Sequence, residues 1–142
     1  MNLPGALLEK SVEEGKVYFF RDTCPIGVKG HMHICIKIHD KVYVFSSCTS
    51  QMATIRRHAA LTGISLDTYP CFAKNDINKF DADYTFVNCN DVIECTAEEF
   101  TQYLADQTVI PLEGIIDANG MAAIANGIKL SKTVAKEIQD LF

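Results

Sequence analysis

The sequence has no tryptophan, no Cys-x-x-Cys pair and no long run of apolar residues. A membrane-spanning helix needs about 18 or more consecutive apolar residues, so this absence argues against an integral membrane protein. The first residues also lack the basic start and the long apolar stretch that are typical of an export signal. We therefore expect a cytoplasmic protein that does not bind a membrane.

The cysteine spacing argues against a structural metal site. Six cysteines are spread along the 142 residues without closely spaced pairs, whereas structural zinc sites usually take their ligands from such pairs. A zinc site would have to join Cys24, His31 and His33 to a distant cysteine. The sequence therefore predicts no metal and no cofactor, and most thiols should be free in a reducing cytoplasm.

Basic residues are too few for the whole chain to bind nucleic acid through bulk charge. The chain has 13 Lys or Arg against 18 Asp or Glu, a net charge of −5, and phosphate binding depends on clustered basic side chains. The segment from Lys16 to Arg57 differs, because it contains seven basic and two acidic residues. A local basic groove is therefore possible in a chain that is acidic overall.

The clearest local pattern lies between residues 31 and 39, where apolar and polar residues alternate. This period of two is typical of a half-buried β-strand. The polar positions are His31, His33, Cys35, Lys37 and His39. We expect this face to point away from the core, which would leave the imidazoles available for proton transfer near neutral pH.

The neighbouring segments predict a bent sheet. Lys16 to Phe20 predicts a first strand and residues 21 to 30 a loop, while Lys41 to Cys48 predicts a hairpin partner reached through a turn at His39-Asp40. A short helix is predicted from Ile55 to Leu61, with Gly63 as its stop. Further strands are predicted around Cys71 to Ala73, Tyr84 to Asn88 and Val92 to Cys95.

The C-terminal third predicts helices. Thr96 and Glu99 form a capping box, and Leu112 to Asn126 and Ser131 to Phe142 have helical patterns, the second with Ser131 as its N-cap. We expect an α+β fold in a single domain over residues 1–142. A small, strongly bent antiparallel sheet or SH3-like barrel would occupy residues 16–95, with helices appended over residues 96–142.

This order of elements resembles the PemK/MazF-like toxin family over residues 16–95. The resemblance depends on the Thr49-Ser50 step that closes a strand, on the strand, loop, strand order before it, and on the late strand from Tyr84 to Cys89. The variant group with a C-terminal helical tail is the most similar. The resemblance implies an SH3-like barrel, a homodimer, an antitoxin partner, and cleavage of single-stranded RNA without a metal. Where active members have an Arg-Pro step, this chain has Met32-His33.

Metal-free RNA cleavage needs a base, an acid and donors that stabilise the charge on the phosphorane. The sequence contains residues of all three kinds near the segment of resemblance. The predicted catalytic residues are His31, His33, Thr49 and Ser50, and the predicted RNA-binding residues are Arg21, Lys29, Gln51, Arg56 and Arg57.

Other functions stay open at this point. The chain could be a non-catalytic SH3-like module that binds RNA or protein, because a fold alone does not select an activity. Cys24, in a loop near Arg21, could also act as a nucleophile. The hydroxyls of Thr49 and Ser50 could equally bond the backbone of the following turn.

Overall fold

The structure is a computed structural model that describes residues 12–73 and 83–142. The strands are β1 (Lys16–Phe20), β2 (His31–His39), β3 (Val42–Thr49), β4 (Cys71–Ala73), β5 (Tyr84–Thr96) and β6 (Val109–Ile115). The helices are α1 (Met52–Thr62), α2 (Ala97–Ala105), α3 (Ala118–Leu130) and α4 (Lys136–Gln139), and a 3₁₀ turn spans Leu66–Thr68. The predicted α+β class is confirmed.

The six strands of the described residues form one antiparallel sheet, in the order β4-β5-β3-β2-β1-β6. The sheet is strongly curled into half a barrel, and most helices follow the strands, as predicted. Three irregularities in strand register lie between Lys16 and Tyr18, between Cys35 and Lys37 and between Ser46 and Cys48. Because a bulge bends its strand and increases the local twist, these positions account for part of the curl.

The predicted hairpin of β2 and β3 is confirmed, with its turn one residue later than expected. His39 pairs with Val42, and both central residues, Asp40 and Lys41, have positive φ angles of 47° and 60°. A two-residue turn of this handedness matches the right-handed twist of the flanking strands. The turn therefore sets the register that places the start of β2 beside the end of β3.

Both faces of the sheet are buried at its centre, because a helix covers each face. One core cluster joins the sheet to α3 and includes Ile34, Ile36, Val87, Ile124 and Ile128. The other cluster contains alternate sheet positions and joins them to α2, and it includes Tyr18, Phe20, Cys35, Phe45 and Phe100. The prediction that His33 and Cys35 point away from the core is therefore wrong. His33 is only 1% exposed and Cys35 is fully buried.

The C-terminal third contains a strand that the sequence does not predict. Residues 109–115 form β6, which pairs with β1 from Phe20↔Val109 to Lys16↔Ile115. The helix predicted from Leu112 therefore begins only at Ala118, where Asp117 caps it by accepting a hydrogen bond from the Gly120 N–H at 2.7 Å. Pairing with the edge of β1 outweighs the local helical pattern of this segment.

Ser131 does not cap the start of a helix, so this prediction is also wrong. It follows the last residue of α3, and its hydroxyl donates to Asn90 Oδ1 at 2.9 Å. The final helix is limited to Lys136–Gln139, and the Gln139 amide donates to the carbonyls of Ile128 and Ser131 at 2.9 and 2.8 Å. These bonds fold the last residues back over the end of α3.

Two predicted helix ends are confirmed. α1 ends at Gly63, whose φ of 72° is left-handed and whose N–H donates to the Ala59 carbonyl. At the start of α2, the Glu99 N–H donates to Thr96 Oγ1 and the Thr96 N–H donates to Glu99 Oε1, each at 3.1 Å. This reciprocal pair satisfies donors that a helix start leaves unpaired.

α3 lies close to the sheet because glycines occupy its contact face. A Cβ at Gly127 would lie 2.7 Å from Cys89 Sγ and 3.1 Å from the Asp67 carbonyl oxygen. A Cβ at Gly120 would lie 2.5 Å from Ile116 Cγ2. Side chains at these positions would push the helix off the sheet, since protein interiors leave little spare volume. No helix in the two described ranges is long and apolar enough to cross a membrane.

Candidate functional site

A cleft of about 630 Å³ opens where β3 ends beside the start of β2. Four of the predicted site residues line it: His31, Thr49, Ser50 and Gln51. The rest of its lining is largely apolar and includes Phe19, Met32, Cys48 and Leu112. The antiparallel hairpin explains this grouping, because the pairing of His33 with Ser47 brings the first residue of β2 next to the last residues of β3.

His31 is fixed in the cleft by a hydrogen bond to the backbone of β3. Its Nδ1 lies 2.9 Å from the carbonyl oxygen of Cys48. A carbonyl can only accept, so Nδ1 carries the proton and donates, and in the neutral ring Nε2 then holds the lone pair. His31 therefore has one ring nitrogen that is used by the fold and one that can accept a proton or bind a ligand.

Thr49 ends β3, and Ser50 and Gln51 follow it. These residues combine a structural contact with polar groups that could bind a ligand. Thr49 Oγ1 accepts a hydrogen bond from the Gln51 N–H at 3.1 Å, which is the backbone contact that the alternative interpretation of Thr49 predicts. Its hydroxyl proton remains available to a further acceptor. Gln51 precedes α1 without capping it through its side chain, and Ser50 is exposed. The hydroxyls and the amide can therefore face a bound molecule.

The structure does not bring His33 into this cleft. Its Nε2 accepts a hydrogen bond from the Val28 N–H at 3.1 Å, and its Nδ1 donates to the His31 carbonyl at 3.0 Å. Its ring stacks on Phe20 with 3.9 Å between the ring centres. Burial lowers the pKa of His33 to about 4, so the ring is neutral at pH 7. With both nitrogens bonded to backbone, His33 has no free group for proton transfer.

The four predicted cationic residues are exposed and none of them lines the cleft. Arg21 and Lys29 lie in the loop of residues 21–30, whose last residue, Gly30, does line it. Arg56 and Arg57 lie on α1, which begins directly after Gln51. The basic side chains thus belong to the two elements that flank the cleft.

Cys24 is not accessible as a nucleophile. It is 1% exposed and packs with the aromatic cluster of Phe20, Phe45 and Phe100. The expectation that a loop position would make this thiol reachable is wrong, because the loop folds back over the sheet and its Cys24 N–H donates to the Arg21 carbonyl.

The thiols should differ sharply in reactivity. Cys71 is exposed and the other five cysteines are buried, and burial raises the pKa of Cys35, Cys89 and Cys95 to about 12. Since the thiolate is the reactive form, we expect iodoacetamide at pH 8 to add one group to the native protein and six groups in urea, as measured by intact mass. Rapid addition of a second group to the native protein would contradict this assignment of the buried thiols.

The sequence does not identify the apolar part of the cleft. Phe19 and Met32 are cross-strand partners in β1 and β2. Their position side by side follows from the register of these two strands, which the sequence does not predict. Leu112 lies in β6, about 80 residues further along the chain, and only long-range strand pairing brings it here. No local signal in the sequence indicates Leu112.

Within residues 12–73 and 83–142, no group of three or more His, Cys, Asp or Glu is arranged to hold a metal ion. The chain matches no family model and no curated protein sequence. The resemblance to the PemK/MazF-like toxins therefore stays a prediction, as do the homodimer and the antitoxin partner that it implies.

Proposed function

We propose that the cleft binds single-stranded RNA. The observation that carries the proposal is that one cleft contains both a polar set, His31, Thr49, Ser50 and Gln51, and the apolar side chains of Phe19, Met32, Cys48 and Leu112. A nucleobase has an apolar face and a polar edge, and proteins recognise unpaired bases through stacking or apolar contact together with hydrogen bonds to that edge. The volume of about 630 Å³ lies within the range of pockets that hold small organic ligands.

The distribution of charge supports a nucleic-acid strand that extends beyond the cleft. Arg21 and Lys29 lie on one flanking element and Arg56 and Arg57 on the other, all exposed. Phosphates on either side of a base held in the cleft could reach these side chains. The protein is acidic overall, so such contacts would have to be local rather than a result of bulk charge.

Metal-free cleavage of the bound strand is a second candidate, and the Nε2 of His31 favours it. In that reaction Nε2 would take the proton of a ribose 2′-hydroxyl, and the 2′-oxygen would attack the adjacent phosphorus. The 5′-oxygen would leave with the proton returned by His31, which yields a 2′,3′-cyclic phosphate. Thr49 and Ser50 could donate hydrogen bonds to the phosphorane, but no Lys or Arg of the described residues lines the cleft.

Binding can be measured by fluorescence anisotropy with a labelled, mixed-sequence single-stranded RNA in EDTA. We expect the double variant R56A/R57A to bind more weakly and to lower the slope of log affinity against log salt by about 1.4, since two phosphate contacts are lost at about 0.7 each. The double variant K129A/K132A removes the same charge from two exposed positions, one in the last turn of α3 and one just after it, and should match the parent. Equal losses in both variants would indicate bulk charge and contradict the site.

The role of His31 separates binding from cleavage. We expect His31→Ala to weaken binding of a 2′-deoxy strand about tenfold, because it removes one side of the cleft, and to abolish any cutting of the corresponding RNA. The parent should leave the 2′-deoxy strand intact, because that strand lacks the nucleophile. A parent that binds RNA without cutting it would retain the binding function and exclude cleavage. A folded parent that does not bind RNA would overturn both.

A further inference from the structure

His33 connects the loop before β2 to His31 in the cleft wall, although it does not line the cleft itself. One ring nitrogen donates to the carbonyl of His31, and the other accepts from the N–H of Val28. Between these two points, the His31 N–H donates to the Val28 carbonyl at 3.2 Å and the Gly30 N–H donates to the Phe20 carbonyl at 2.8 Å. The segment from Val28 to His31 is therefore held against β1 and β2 by three hydrogen bonds, and the bond between His31 and Val28 closes a turn within it.

The packing around His33 leaves the loop little freedom to shift. The ring lies almost parallel to Phe20, at 17°. Gly27 lies directly against this pair, with φ at +77°, and a Cβ there would be 2.6 Å from the Phe20 ring and 2.8 Å from His33 Nε2. The backbone of the loop thus contacts the stacked rings without an intervening side chain.

A residue that only filled this space could be apolar. Burying a polar ring costs free energy unless its polar atoms are hydrogen-bonded. The two bonds that His33 makes are both to backbone groups of the segment from Val28 to His31. The ring must also be neutral, since Nε2 accepts from Val28 only without a proton, and burial favours that form.

We infer that His33 is a positioning residue, which fixes Gly30 and His31 in the geometry that the cleft needs to hold an RNA base. The inference rests on the proposed function, because one of its two tests measures RNA binding. It assigns no proton transfer to His33, in contrast to the role that the sequence predicts for this residue.

Three substitutions separate the two hydrogen bonds. His33→Gln extends an amide toward the position of Nε2 and can accept from Val28, whereas His33→Asn reaches the position of Nδ1 and can donate to His31. His33→Phe retains an aromatic ring over Phe20 and loses both bonds. We expect His33→Phe to weaken RNA binding at least tenfold at pH 7.5 and 10 °C, with the variant shown to be folded by circular dichroism. His33→Gln and His33→Asn should each recover part of that loss.

A second measurement does not require RNA. NMR spectra of the free protein should show the Gly30 amide and the His31 ring shifted in His33→Phe, and shifted less in the Gln and Asn variants. The matched control is His39→Phe, which changes an exposed histidine at the other end of the same strand and should leave both signals in place.

The outcomes distinguish the proposed RNA binding from the positioning role of His33. If the parent does not bind RNA, the proposed function fails, and the positions of the Gly30 and His31 signals alone decide the role of His33. Unchanged signals in His33→Phe would overturn the positioning role, as would a folded His33→Phe that binds RNA as tightly as the parent. If His33→Phe does not fold, the same comparison is made with the Gln and Asn variants, and parental signals and affinity in both would overturn it.

Discussion

Replacing Gly127 with alanine should lower the free energy of unfolding by about 2 kcal/mol, even though alanine favours helices. The new methyl group would lie 2.7 Å from Cys89 Sγ and 3.1 Å from the Asp67 carbonyl oxygen. The second contact is with backbone, which cannot rotate away, so α3 would have to move from the sheet. The helical preference for alanine over glycine is worth only about 1 kcal/mol, while overpacking a core costs about 1–3 kcal/mol.

Urea unfolding of three further variants would test this explanation. Asn126→Ala lies next to Gly127 on the exposed side of α3 and should change stability by no more than about 0.5 kcal/mol. Cys89→Ala removes the sulfur atom, and in the double variant C89A/G127A the new methyl group can use part of the space it leaves. We expect the double variant to be more stable than the sum of the single effects predicts. Strict additivity would show that contact with Cys89 is not the cause.

Acid should destabilise the protein through His33 by about 3 kcal/mol between pH 7 and pH 4. The folded protein holds the pKa of His33 at about 4, because the ring is buried, whereas an exposed histidine of the unfolded chain titrates near 6.5. Between these two values the unfolded state binds a proton that the folded state does not bind. The stability contributed by neutral His33 is therefore fully present above pH 6.5 and is lost as the pH falls toward 4.

The effect can be isolated by comparing two histidine variants in urea unfolding from pH 7.5 to pH 4.5. His33→Gln removes the titration, so its stability should decrease less on acidification than that of the parent. His39→Gln changes an exposed histidine of the same strand and should keep the parental slope. Two other titratable groups lie near His33: His31, and Asp91, which lines the same small cavity as His33. Both are unchanged in all three proteins, so they do not account for a difference between the slopes. Identical slopes in all three would mean that His33 does not cause the acid sensitivity.

The sequence predicts β2 as a strand with its apolar face buried, but not that much of its polar face is buried as well. The alternation of apolar and polar residues in β2 is a local pattern, and a local pattern is sufficient to predict a strand. Whether Cys35 and His33 face water depends instead on Phe100, which packs against that face from α2. This contact joins residues more than 60 positions apart, and no local pattern contains it.

The difference between local patterns and long-range contacts also decides which residues of the cleft the sequence can predict. His31, Thr49 and Ser50 could be grouped in advance, because a tight hairpin fixes which of its residues are neighbours. Leu112 could not, since the sequence predicts a helix from Leu112 onward, whereas its actual position depends on the pairing of β6 with β1. Ser131 was similarly misassigned, because its hydroxyl bonds to Asn90, 41 residues away.

The sheet order also has a consequence for synthesis on the ribosome. β1 is among the first residues of the sheet to be made, yet its second partner, β6, follows about 90 residues later, which takes about 5–20 s at ordinary elongation rates. During that interval one edge of β1 has no strand to pair with, and open edges of this kind promote association between chains. Leu112 arrives with β6, so the cleft is among the last parts of the molecule to be completed in the growing chain.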